Sequence, residues 1–139
     1  MMSQLTINGK LERLREYSGY LKAYQLYTLP EIREDHTLQG AILHYFQLSI
    51  ECAIDIGEMI ISEHRFRKPQ DAREVFRILA EHKVLPQNFA GRFSSAVSFR
   101  NILVHEYTEV DLKEVRRHLK TDLKDFDSFA RHIARFLNK

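Results

Sequence analysis

The sequence predicts an all-α protein, an antiparallel up-and-down bundle of about five helices, and three observations carry that expectation. Apolar residues recur at three- and four-residue intervals in every long stretch, the spacing that lines one face of a helix. No run alternates apolar and polar residues with the period of two that a half-buried strand needs. Only 3 prolines and 5 glycines interrupt 139 residues, which leaves long stretches unbroken. A chain of this length is most simply one domain, residues 1–139, long enough to bury a core.

The first helix is expected from near Leu5 or Asn8 to about Tyr27, with Leu11, Leu14, Tyr17, Leu21 and Tyr24 as its core stripe. Tyr17, Tyr20, Tyr24 and Tyr27 form a ridge beside it. Pro30 should end this element, because proline lacks the N–H a helix interior needs. Glu31 to His36 then read as a polar connector with room for one helical turn. The second helix is the longest, about Thr37 to Glu63, with Thr37 as its N-cap. Leu38, Ala41, Tyr45, Leu48, Cys52, Ile56, Met59 and Ile60 form one apolar stripe. Leu43, Phe46, Ile50, Ile54 and Ile61 form another. A helix apolar on so much of its circumference sits at the centre of a bundle or in a subunit contact. One polar row remains: His44, Gln47, Glu51, Asp55 and Glu58. It is either a solvent-facing edge or the lining of a cleft.

The cations of His64 to Lys68 suit the negative end of that helix dipole. Asp71 opens a third helix that buries Val75, Phe76, Leu79 and Ala80 and ends around His82 and Lys83. Pro86 stands where a first turn accepts proline. A fourth helix follows from about Gln87 to Val104, rich in small residues that permit close approach of a neighbour. Asp111 begins the last helix, with a seam of Leu112, Val115, Leu119, Leu123, Phe126, Ala130, Ile133 and Leu137. The link from Glu106 to Val110 is so short that the last two helices must be antiparallel neighbours.

Composition sets the outer bounds. Apolar residues are 44%, charged residues are 29%, and the formal net charge is +2. That balance neither announces nor excludes a nucleic-acid partner, because a local patch outweighs the total. Cys52 is the single cysteine, so no intrachain disulfide is possible and a reducing cytoplasm suits the chain. No stretch approaches the ~20 apolar residues of a membrane helix, and the first residues lack a signal-peptide core. No membrane partner is expected.

The chemistry concentrates at Arg100 to Tyr107, where Arg100, His105 and Tyr107 stand at fixed spacing. A guanidinium is a permanent cation whose planar fork matches a phosphate. An imidazole moves protons near neutral pH. Together they are a minimal kit for cleaving a phosphodiester without a metal. They are equally what a helix C-terminus attracts through its dipole. Five residues along a helix turn through roughly 140°, so Arg100 and His105 do not face the same way on one continuous helix. Either the helix ends before His105, or two copies of the motif meet in a homodimer. The other histidines, His36, His44, His64, His82, His118 and His132, lack repeated ligand spacing. No metal and no cofactor is expected. Cys52 lies inside an apolar stripe and reads as a core residue.

The stretches Gln47 to Glu51, Asp55-Ile56 and Phe99 to Tyr107, in this helical setting, resemble the HEPN superfamily and more closely its HepT-like toxins. The resemblance spans about Leu5 to Leu137. It implies a HEPN-like helical domain, a homodimer, and a metal-independent endoribonuclease whose catalytic residues fall on Arg100 and His105. Asn101 falls on the polar position after the arginine, where it can hold the phosphate or orient His105. The motif tyrosine falls on Tyr107, which the resemblance makes the acceptor of AMP from a minimal nucleotidyltransferase antitoxin. Gln47, Glu51 and Asp55 are the candidate cleft lining. Two other readings stand beside this one: a non-catalytic helical module that binds and is modified by a nucleotidyltransferase, and a ligand sensor with an anion pocket at Arg100.

Overall fold

The computed structural model describes residues 2–105 and 111–139, with side chains from Thr6 onward except those of residues 102, 104 and 105. Among the described residues six helices follow one another: α1 Met2–Tyr24, α2 Leu29–Glu34, α3 His36–Glu63, α4 Ala72–Glu81, α5 Gln87–His105 and α6 Leu112–Leu137. No strand occurs among the described residues. The sixth element arises at Pro30, which opens α2 instead of only closing α1. Proline costs nothing in a first turn, where its missing N–H would have no partner. Thr28 caps that turn: its Oγ1 accepts from Glu31 N at 3.3 Å, and Glu31 Oε1 accepts from Thr28 N at 2.9 Å. This reciprocal capping box is what makes six residues hold as a helix. It also holds the Glu31 carboxyl below its usual range.

Asp35, not Thr37, caps α3. Its Oδ1 accepts from Leu38 N at 3.0 Å, so Thr37 lies inside the first turn. Asp71 caps α4 as expected, accepting from Glu74 N at 2.9 Å, and Asp111 caps α6, accepting from Lys113 N at 2.8 Å. α3 and α4 both close with a left-handed residue that is not glycine, Arg65 at φ 57° and Lys83 at φ 61°. Phe66 N then reaches back to Ile61 O at 3.0 Å and Val84 N to Leu79 O at 2.9 Å, the Schellman closure of a helix end. Arg67 does more than suit a dipole. It grips Glu74 at 3.0 Å and Glu81 at 2.8 Å, tying the α3–α4 link onto α4.

α3 is the centre of the bundle and packs against all five other helices. It buries Leu38, Ile42, Leu43, Phe46, Ile50, Ile54, Ile56, Ile60 and Ile61. The second stripe is buried throughout, whereas Ala41, Tyr45, Leu48 and Met59 of the first stay partly exposed. Gly57 lets α4 approach: a Cβ there would meet Val75 Cγ1 at 2.5 Å. In α1 the seam is Ile7, Leu11, Leu14, Ser18 and Leu21. Ser18, not Tyr17, takes the middle position, because a strict four-three rhythm from Leu14 lands there. Tyr17 and Tyr20 flank the seam and gather round Tyr45 of α3, with centroids 6.0 and 4.8 Å away.

α5 and α6 meet antiparallel through large rings. Phe89 lies against His132, Phe93 against Phe126 and Phe129, and Phe99 against His118. On α5, Ala90 and Ala96 are buried, whereas Gly91, Ser95 and Ser98 face solvent. The small-residue run is thus only partly a packing surface.

Candidate active site

Arg100 stands on the second-to-last turn of α5, with Phe99 behind it. Phe99 is buried between Phe46 of α3, edge-on at 5.4 Å, and the ring of His118 of α6, stacked at 4.0 Å and 17°. His118 is itself fixed: its Nδ1 lies 2.7 Å from Asp122 Oδ2, and Thr121 Oγ1 donates to Asp122 Oδ1 at 3.0 Å. Both members of this His–Asp pair are under a tenth exposed. They hold the last turns of α5 against the core just where Arg100 leaves it.

The Arg100 side chain is 24% exposed, and its Nη1 is 4.0 Å from Glu51 Oε1, the outer limit of an ion pair. Its Nε is buried without a hydrogen-bond partner. Gln47 Nε2 donates to the same Glu51 oxygen at 3.3 Å. Gln47, Glu51 and Arg100 thus form one polar line from α3 to α5. Arg100 opens on an open depression of about 440 Å³ that Glu51, Asp55, Glu58 and Asp71 also border. It is the one cation among the described residues that line it. Asp55 additionally binds Lys10 of α1 at 3.4 Å. The end of the Arg100 side chain is partly exposed and only loosely engaged by Glu51, and a guanidinium fork can take a phosphate in two hydrogen bonds.

Asn101 is exposed on α5. His105 is the last residue of that helix, and its side chain lies outside the described residues. Tyr107 lies outside them altogether. α5 runs unbroken from Arg100 to His105, so the roughly 140° between the two positions stands. The chain brings Gln47, Glu51, Asp55 and Arg100 to one edge.

Cys52 is buried, as its place in an apolar stripe predicts. Cys52 Sγ lies 3.0 Å from Lys10 O, and burial pushes its thiol up, away from the nucleophilic thiolate. No group of three or more metal-binding side chains occurs among the described residues, and no described helix is long and apolar enough to cross a membrane. The buried pair of His118 and Asp122 is what sequence reasoning missed. Its signal was a His and an Asp four residues apart inside an apolar seam, where neither belongs unless paired.

A family model, described as ribonuclease HepT-like, matches residues 7–133, and the chain belongs to that family. The "mRNA nuclease HepT" of Shewanella oneidensis is 31% identical over 99 residues, covering 71% of this chain and 74% of its own. The "tRNA nuclease HepT" of Aphanizomenon flos-aquae is 27% identical over 131 residues, covering 94% and 89%. Among solved structures, a tri-AMPylated Shewanella oneidensis HEPN toxin in complex with MNT antitoxin superposes with a TM-score of 0.84 at 26% identity, over 92% of this chain and 96% of that one.

Proposed function

We propose that this chain is an endoribonuclease toxin of a toxin–antitoxin pair, and that it cuts RNA with Arg100 and His105 and without a metal. The observation that carries the reading is the Arg100 side chain. It is held at the root by Phe99, its Nε is unpartnered, and its nearest carboxylate stands at the limit of contact. In the proposed reaction the RNA supplies its own nucleophile. His105 withdraws the 2′-hydroxyl proton or protonates the leaving 5′-oxygen. Arg100 holds the non-bridging oxygens as negative charge builds on them. The P–O5′ bond breaks as the P–O2′ bond forms, leaving a 2′,3′-cyclic phosphate and a 5′-hydroxyl.

The unbroken α5 supports a homodimer for this chemistry. On one helix the two positions stand roughly 140° apart, whereas a two-fold axis beside the motif would pair each Arg100 with the other copy's histidine. Tyr107 is the proposed acceptor of AMP from a nucleotidyltransferase antitoxin. A phosphate added there competes with RNA for Arg100, since both present the same anion to the same fork. Both relatives named as nucleases and the AMP-bearing neighbour support this reading.

The test is cleavage of RNA by the purified protein in a chelator, beside Arg100→Ala and His105→Ala. The expected result is cleavage by the wild type alone, with each variant at least about 10²-fold slower. Cleavage that survives His105→Ala, or that the chelator abolishes, overturns the mechanism. RNA left uncut by the wild type leaves the non-catalytic interaction module as the reading. For the control step, intact mass after co-expression with a nucleotidyltransferase should show added AMP on the wild type and none on Tyr107→Phe.

A further inference from the structure

Helix α6 carries a second polar feature that the motif does not use. An α-helix turns roughly 100° per residue. On that geometry Lys113, Arg117, Lys120, Lys124, Arg131 and Arg135 all fall within a sector roughly 60° wide, along about 33 Å of helix. All six are exposed. The seam residues Val115, Asp122, Phe129 and Ile133 project from the opposite side and are buried. No carboxylate falls inside the sector. Among the described residues only Arg117 of the six is ion-paired, with Glu114 at 2.6 Å. The flanking acids are committed elsewhere, Asp127 to Lys22 at 3.0 Å and Asp125 to Arg92 at 3.3 Å.

A merely solvated helix face mixes both signs. This one has a single sign, in a chain whose formal net charge is only +2. The acidic row Glu51, Asp55 and Glu58 lies on another helix, α3, where it borders the depression at Arg100. The ridge also has a direction. Antiparallel packing sets His118 against Phe99, so Lys113, Arg117 and Lys120 stand level with the motif. At the far end the ridge opens on a groove of about 480 Å³ whose charged lining includes Lys83, Arg135 and Lys139 against Glu81. The field is felt nearby: His132 is held below the usual imidazole range by burial, then by Arg135 and Arg131.

We propose that the outward face of α6 is a track for the backbone of single-stranded RNA, leading the strand to and from the motif at Arg100. The proposal rests on the ribonuclease reading above for its substrate class. A polyanion needs a row of cations and no apolar anchor. A protein partner draws its affinity from buried aromatic and apolar anchors, and the exposed large apolar residues, Tyr20, Leu26 and Tyr27, all lie off α6.

The experiment uses the full-length protein and a 20-nucleotide labelled RNA of mixed sequence, 2′-O-methylated so that it lacks the nucleophile. Binding is measured by anisotropy across a potassium chloride series. The variant Lys113→Gln/Lys120→Gln/Lys124→Gln/Arg131→Gln removes four cations with no described ion pair. The control Arg13→Gln/Arg15→Gln/Arg73→Gln/Arg77→Gln removes four exposed cations elsewhere, so the net charge falls equally. For single strands the salt slope is about 0.7 per phosphate neutralised, so the α6 variant should lose about 3 in slope and on the order of 100-fold in affinity near 0.15 M salt. The control should keep the wild-type slope. If the four-site variant fails to fold, Lys120→Gln/Lys124→Gln carries the same test with a slope loss of about 1.4. An unchanged slope in the α6 variant, an equal loss in the control, or no binding by the wild type overturns the track. Cleavage of unmodified RNA is scored separately. Binding along α6 without any cleavage keeps the track and removes the ribonuclease reading, whereas cleavage with no α6 effect does the reverse.

Discussion

Two regions of the same helix, two turns apart, are built on opposite terms. At Phe93, α5 buries a ring among other rings. Its ring stacks on Phe129 at 5.1 Å and on Phe89 at 5.3 Å, and meets Phe76 and Phe126 edge-on at 4.9 and 5.8 Å. At Arg100 the same helix leaves donors unspent: Nε has no partner, and Glu51 is 4.0 Å away. The difference teaches where stability and function are placed. Five phenylalanines and the buried His118–Asp122 pair make up this framework. Beside that framework a guanidinium is held with its inner nitrogen buried and unpartnered and its tip only loosely engaged by Glu51.

If that division is right, damage to the framework should register as lost stability, and damage to the tip should not. Phe93→Ala should have the largest effect, a loss of about 3–5 kcal/mol by denaturant titration, because the surrounding rings cannot collapse onto the hole. A loss below about 1.5 kcal/mol would mean that the aromatic cluster is loosely packed. His118→Ala should cost about 2–3 kcal/mol, since Asp122 is left buried without its partner. Asp122→Asn, which removes the charge and keeps a hydrogen-bonding group, should recover part of that loss on the His118→Ala background. Gly57→Ala should cost about 1–2 kcal/mol, because the strain of pressing on the stiff Val75 exceeds the gain in helix propensity.

Arg100→Gln should have the smallest effect on stability, within about 0.5 kcal/mol of wild type, because it removes no satisfied contact. The same variant should nevertheless lose RNA cleavage. A pronounced destabilisation by Arg100→Gln would break the division and make Arg100 a structural ion-pair partner of Glu51.

Much of this was legible in the residues themselves. The helical class, the caps at Asp71 and Asp111, and the α6 seam follow from periodicity and from side chains that can bond a free N–H only at a helix start. The chemistry of the motif was legible too, because Arg and His carry their roles in their functional groups. Pro30 was misread because a proline ends one helix and begins another by the same missing N–H, and only the Thr28–Glu31 capping box decides which. Arg67 looked like a dipole complement because its partners, Glu74 and Glu81, lie on a helix that the sequence cannot dock.

What the sequence by itself determined, then, is whatever depends on neighbours three or four residues away: which segments are helical, where they are capped, which face of each is apolar, and which groups can do chemistry. What only the tertiary structure decided is whatever depends on contacts between helices. It decided that the second stripe of α3 is wholly buried and the first only in part. It also decided that His118 lies behind Phe99, and that Arg100 meets the Gln47–Glu51 row. The physical reason is that side-chain periodicity fixes a face but not its partner. The partner is chosen by the packing of large rings and by the one close approach that Gly57 allows.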